Sequence, residues 1–260
     1  MTKPSSRVWL PLLFALLLLA LWQLLSARLR IAFWVLPSPG AVLGVFRSNP
    51  ALLWSHLRPT LLASVSGLLL ATLLGVATAM AMHSSKLLKQ IFYPYLVVSQ
   101  TVPVIAVAPL IVLWFGYGIS AKVFVVVVMC FFPVALGLFD GLKQVSQEQL
   151  RLLRSMGANG WQTYRYLKVP ASLPAFFTGL KLAATYSVMG AVIGEWLGGN
   201  AGLGIYLTRS TKSFRTEQVF AAILLIILLS LALFGLVALL DRLLLGWHYK
   251  KLDEYEDTSR

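Results

Sequence analysis

Six stretches of this chain are apolar for long enough to cross a bilayer, and that constrains the fold more than any motif does. They lie at about 9–28, 60–82, 91–115, 121–139, 172–197 and 218–241. At 1.5 Å per residue each reaches roughly 30 Å, the depth of a hydrocarbon core. In lipid, a segment must satisfy its backbone hydrogen bonds internally, and long unbroken apolar runs do so as helices. The chain therefore reads as all-α, a polytopic membrane protein with about six transmembrane helices. Residues are 58% apolar and 12% charged, against roughly 45–50% apolar in a soluble domain. The 260 residues form one transmembrane domain, with no room for a separate soluble one.

The net charge of +13 does not point to nucleic acid, because the Lys and Arg are spread over the loops rather than gathered on one face. They follow topology instead. With the N-terminus inside, the cytoplasmic segments carry more of them, including Lys3, Lys143, Arg151, Arg154, Lys168, Lys250, Lys251 and Arg260; the outer segments carry fewer, among them Arg30, Arg47, Lys122 and Arg209. Both termini are expected in the cytoplasm. The first run, preceded by Lys3 and Arg7, is longer than a signal-peptide core and lacks a clean cleavage site, so it reads as a retained helix.

Several local features carry expectations. Leu36-Pro37-Ser38-Pro39 forces an extended turn before a short amphipathic helix, Val42 to Phe46, on the outer surface, and the outer loop runs on to Pro59. Gly67, Ala71, Gly75 and Ala79 put small residues four apart on one face of the second span, for close packing within the chain or across a dimer. Pro94, Pro103 and Pro109 bend the third span, either to line a pathway or as a packing kink. Cys130 reads as a buried structural thiol.

Catalytic chemistry is absent from the pattern. No phosphate-binding Gly-x-x-x-x-Gly-Lys-Ser/Thr loop occurs, and no His-Glu-x-x-His. His56, His83 and His248 are scattered and read as solvated loop side chains. Asp140 ends the fourth span or caps the next helix, and Lys181 snorkels to the cytoplasmic interface. Glu195 is a candidate for lining a path, for pairing with a base such as Arg209, or for reaching interfacial water.

The polar, basic segment at about 143–170 is the longest soluble piece. Ser146 and Gln149 have capping-box spacing. Leu150, Leu153 and Met156 recur at helical spacing, Gly157 supplies a left-handed stop, a second short helix runs from Trp161 to Leu167, and Pro170 starts the next span. The product is a helix-Gly-helix element suited to holding a partner. It resembles the cytoplasmic loop of bacterial ABC importer permeases, Glu-Ala-Ala, three residues, Gly, nine residues, Ile-x-Leu-Pro: here Gly157 is followed after nine residues by Leu167, Lys168, Val169 and Pro170. Arg151, Leu152 and Leu153 occupy the Glu-Ala-Ala positions, and Glu148 lies one turn earlier as the available acid.

The Leu36–Pro39 turn, the run Thr101-Val-Pro103-x-x-Ala106-x-x-Pro109-Leu110, Trp114-Phe-Gly-Tyr-Gly118 and Phe131-Phe-Pro133 are similar to the nitrate/sulfonate/taurine branch of that family. The stretch from Gly194 to Gly204, followed by Thr208-Arg209-Ser210, looks like permeases for pyrimidine thiamine precursors. The resemblance implies a type I ABC importer permease in the bacterial inner membrane. It implies a homodimer among membrane lipid, two ATPase subunits seated on the loop, an external substrate-binding protein, and ATP and Mg bound by the partner ATPase rather than by this chain. Pro103, Pro109 and Glu195 are then candidates for the translocation path. The favoured solute is a hydroxymethylpyrimidine-type precursor, ahead of alkanesulfonate or taurine and then nitrate. A secondary transporter would need an ion-coupling site built from Glu195 and Lys181, and a channel would need no ATPase.

Overall fold

The computed structural model describes residues 6–28 and 35–247. The flanks carrying Lys3, His248, Lys250, Lys251 and Arg260, and Arg30 in the outer loop, lie outside the described residues. Eleven α-helices are described: α1 (Ser6–Arg28), α2 (Pro39–Ser48), α3 (Pro50–Ser84), α4 (Lys86–Ser99), α5 (Val104–Phe115), α6 (Ile119–Lys143), α7 (Gln147–Ser155), α8 (Gly160–Thr163), α9 (Val169–Trp196), α10 (Leu203–Lys212) and α11 (Thr216–Leu244). Five helices are long and apolar enough to cross a membrane, and six if the bent pair α4 and α5 is counted as one span.

Three spans depart from their expected form. The second begins at Pro50 rather than near residue 60, because Pro59 sits inside α3 instead of bounding it; an internal proline costs the helix one amide bond, here to the Ser55 carbonyl, and its neighbours tolerate the kink. The third is two helices, not one bent one: α4 and α5 meet at 105°. Of its prolines only Pro103 breaks the helix. It lacks a donor and bars Val102 from helical geometry, while Ser99 and Thr101 hydroxyls bond back to the Leu96 and Val98 carbonyls and close α4. Pro94 and Pro109 lie within their helices. The fifth span starts early. α8, a π-helical turn over Tyr164–Lys168, and α9 form one helix from Gly160 to Trp196, so the short Trp161–Leu167 helix is not separate. Pro170 follows the turn without interrupting it, since the wider π turn relieves the clash with the preceding carbonyls.

Helices α3, α6, α9 and α11 make the core, around Ala63, Val126, Val134, Ala184, Val188 and Leu233. The small-residue ridge of α3 is used inside the chain: Gly67 faces Val126 and Gly75 faces Val134 on α6. Along the same helix, Gly137 and Gly141 meet α9 at Ala175, Gly179 and Ser172. Val42 and Val45 of α2 are buried against Leu53, Tyr206 and Ala221, so that helix packs into the protein rather than lying free on a surface. Helix α1 touches the rest through Trp22, whose indole N–H donates to the Pro37 carbonyl at 3.1 Å, and leaves most of its leucines exposed as a lipid-facing helix would.

Other polar residues found partners the sequence did not announce. Lys181 does not snorkel; its Nζ lies 2.7 Å from Asp241 Oδ2 and ties α9 to α11. Asp140 caps nothing and lies in the last turn of α6, 3.2 Å from Lys143. Cys130 is buried and its thiol donates to the Ala183 carbonyl. Ser64 Oγ, by contrast, is buried without a hydrogen-bond partner. Ser64→Ala removes that unmet group and should stabilise the protein by about 1 kcal/mol, seen as a higher Tm in detergent; a lower Tm would show that the hydroxyl is satisfied in the membrane.

Candidate functional site

Two constructions stand out, at opposite ends of α3. The first is the soluble element between α6 and α9. Ser146 accepts from the Gln149 amide while the Gln149 side chain accepts from the Ser146 amide, closing the expected capping box. At the other end Gly157 has φ +79°, with its N–H bonded to the Arg154 carbonyl and the next amide, Ala158, to the Leu153 carbonyl. This 6→1 and 5→2 pair satisfies the end of α7 and requires a left-handed residue at Gly157. A second capping box, Asn159 with Gln162, opens α8 immediately afterwards; the sequence reading had missed it.

The two boxes and the glycine set a sharp, well-bonded corner rather than a loose loop. It is held to the bundle by Lys168, whose Nζ lies 2.9 Å from His83 Nε2, and by Tyr164 beside the His83 ring. His83 is thus a partnered residue, not a solvated one. The expected stripe divides: Leu150 and Leu153 are half-buried, whereas Met156 is 75% exposed, as are Leu152 (63%), Trp161 (68%) and Tyr166 (69%). Arg151, Arg154, Arg165 and Glu148 are exposed around them, and Leu167 and Pro170 are half-buried in the helix. A cluster of exposed large apolar side chains ringed by charge is the signature of an interaction surface.

The second construction is a buried polar knot at the far end of α3, roughly 40 Å away along the helix at 1.5 Å per residue. Glu195, fully buried, accepts from the Thr60 hydroxyl at 2.9 Å and from the Gly204 amide at 2.8 Å. Its charged partner is Lys122, 3.5 Å away, rather than Arg209. Lys122 also donates to the Ala201 carbonyl at 2.7 Å, and Leu203 N–H donates to Thr60. His56, buried in α3 instead of solvated in a loop, sets Nδ1 3.0 Å from the Gly202 carbonyl oxygen. Beside it Tyr206 packs ring to ring, and burial raises its phenol above the ordinary value, keeping it neutral.

The glycine-rich run explains itself here. Gly202 has φ +140°, and a Cβ there would meet the Glu195 carboxylate. The knot therefore fastens the turn after α9, and with it α10, to three spans at once. The sequence pattern places Lys122 in an outer segment and gives Thr60 no role; the one legible signal is an acid beside a run of glycines. Of the other path candidates, Pro103 caps α5 at the break and Pro109 lies exposed within α5.

Residues 71–246 match the family described as "Binding-protein-dependent transport system inner membrane component". The formylaminopyrimidine transport permease protein ThiX of Halalkalibacterium halodurans is 40% identical over 96% of this chain and 100% of its own length. The riboflavin transport system permease protein RibX of Chloroflexus aurantiacus is 35% identical, covering 89% of this chain and 87% of that one. The taurine transport system permease protein TauC of Escherichia coli is 31% identical over 94% and 91%. Among solved structures, a chain from the crystal structure of an amino acid ABC transporter with histidines superposes with a TM-score of 0.63 at 20% identity, covering 77% of this chain and 97% of that one, a likeness of fold. Such permeases work with ABC ATPases and substrate-binding proteins. Taken with the bundle of spans and its exposed corner, these matches place the chain in the binding-protein-dependent transport family, as an inner-membrane ABC importer permease subunit, a transport component and not an enzyme.

Proposed function

We propose that the chain works as a homodimer carrying a small pyrimidine thiamine precursor inward, with the corner at Gly157 seated on the ATPase at the cytoplasmic face. The observation that supports docking is the exposed set Leu152, Met156, Trp161 and Tyr166 around a rigid, doubly capped turn. A rigid element can transmit a displacement; closure of the ATPases on ATP then biases the bundle between outward- and inward-open packings. Glu148 and the arginines at 151, 154 and 165 supply the charged rim. The 40% identity to a formylaminopyrimidine permease over the whole chain favours a pyrimidine over the sulfonates and nitrate carried by more distant relatives.

The test is reconstitution of the chain with its ATPase and binding protein in proteoliposomes, offered hydroxymethylpyrimidine, formylaminopyrimidine, taurine and nitrate. ATP-dependent uptake of a pyrimidine alone is the expected result; uptake of taurine or nitrate instead would refute the substrate, and uptake without ATP would refute the importer mechanism. Within that assay Gly157→Val should let ATP hydrolysis continue while uptake falls at least tenfold, because a β-branched residue at φ +79° costs about 1–3 kcal/mol and the corner reshapes to avoid it. Normal uptake in that variant would count against docking through this corner.

A further inference from the structure

The break between α4 and α5 is not filled by protein. A cavity of about 210 Å³ opens against it, lined by Ser99 and Gln100 from the break, Met129, Phe132 and Pro133 from α6, and Tyr186 from α9. Irregular backbone within a membrane span is tolerated where it is covered by protein or lines a cavity, and broken helices are where transporters build solute sites. We propose that this cavity is the station at which a neutral, single-ring heterocycle is held in transit, with Tyr186 and Gln100 as the residues that recognise its polar edge. The proposal rests on the reading of the chain as a pyrimidine importer and adds the place and the residues.

Three features of the lining select that chemistry. Hydrogen-bonding capacity is left over: the Tyr186 hydroxyl has no partner among the described residues, and Gln100 uses one amide N–H on the Leu96 carbonyl, which leaves its own carbonyl and a second N–H. Pro133, having no N–H, also withdraws the usual helix donor from the Met129 carbonyl. An aminopyrimidine edge offers both donors and acceptors to such a set. The rings of Phe132 and Tyr186 supply the flat apolar surfaces that a planar solute needs.

Charge and size then exclude the competitors. No cationic side chain lines the cavity, so an anionic sulfonate or nitrate would lose its hydration without a counter-charge. At about 210 Å³ the space is smaller than the roughly 300–1,000 Å³ of sites for drug-sized ligands, and it suits one ring rather than a three-ring flavin. The site lies apart from the polar knot of Glu195 and from the corner at Gly157, so it can be altered without touching either.

The experiment uses the complete importer, with ATPase and binding protein, in proteoliposomes loaded with ATP. The readout is radiolabelled hydroxymethylpyrimidine taken up per ATP hydrolysed, a ratio that simple loss of folded protein does not change. Tyr186→Phe and Gln100→Leu should each lower it about tenfold, the effect of leaving one polar edge unmet, while Thr185→Val, one residue away but outside the cavity, should not. Should Gln100→Leu fail to assemble, Gln100→Asn, one methylene shorter, should show the same loss. If the parent importer carries the pyrimidine and the variants keep its ratio, the site is wrong and the importer reading stands. If the parent carries taurine, nitrate or riboflavin but no pyrimidine, the substrate reading fails and the ring site fails with it.

Discussion

Glu195→Ala should cost the protein about 3–5 kcal/mol, the effect of removing one member of a buried ion pair. The size follows from what stays behind. Lys122 is 6% exposed and would keep only the Ala201 carbonyl; the Gly204 amide would lose its acceptor, and the Thr60 hydroxyl, still accepting from the Leu203 amide, would have only the His56 carbonyl at 3.2 Å to donate to. Glu195→Gln should be milder, because an amide oxygen can still accept from Gly204 and Thr60 while the charge balance is lost. Adding Lys122→Met to Glu195→Gln should then recover part of the loss, since it removes the unpaired ammonium. Thermal unfolding in detergent measures all three, with an apparent Tm lower by roughly 10 °C for Glu195→Ala. A Tm equal to the parent's would mean the carboxylate is dispensable and α10 is held some other way. Because the knot joins α3, α6, α9 and α10, its loss should also free the turn from Gly198 to Gly202, detectable as faster proteolysis there.

The large features of this fold were legible because lipid leaves few choices. Five of the six apolar runs became continuous helices and the third became two, and the Ser146 box and Gly157 turn formed as their spacing requires. What escaped the reading were contacts distant in sequence. His56 and Gly202 are held together by the packing of α3 on the α9–α10 turn, and no local pattern in either segment announces the other. Lys122 followed the rule that cations lie in loops, yet it lies in the first turn of α6 where an acid from α9 meets it. Lys181 was read through its own flexibility, when Asp241 on α11 decides its position. Proline was misjudged in two places: Pro59, expected to bound the second span, sits inside α3, and of the three prolines expected to bend the third span, Pro94 and Pro109 sit inside helices while only Pro103, preceded by Ser99 and Thr101 that cap the outgoing helix, breaks one. In a membrane the neighbouring helices absorb a proline that a soluble helix would reject.

Gly179→Ala should disrupt the packing of α6 on α9, and Gly179→Val should leave no folded material. A Cβ at Gly179 would fall on the carbonyl group of Pro133, with the Gly137 Cα behind it at 3.4 Å. Both obstacles are backbone, so no side chain can rotate away, and α6 and α9 must separate along their whole contact. Gly67→Ala meets the Cγ1 and Cβ of Val126 instead, with the Val123 carbonyl oxygen at 3.2 Å; rotation moves only the Cγ atoms, so α3 must also shift from α6, but the nearest obstacle is one side chain rather than backbone and the cost should be smaller. Gly235→Ala, with nothing within 4 Å of the new methyl, should be tolerated. The expected order of recovered, monodisperse protein is therefore Gly235→Ala, then Gly67→Ala, then Gly179→Ala. If Gly179→Ala matched Gly235→Ala, the close approach of α6 and α9 would be wrong. The same order bears on the proposed dimer: Gly67, Gly137, Gly141 and Gly179 are committed to contacts inside one subunit, so a second copy would pack on other surfaces, and none of these three substitutions should change the oligomeric state of whatever protein still folds.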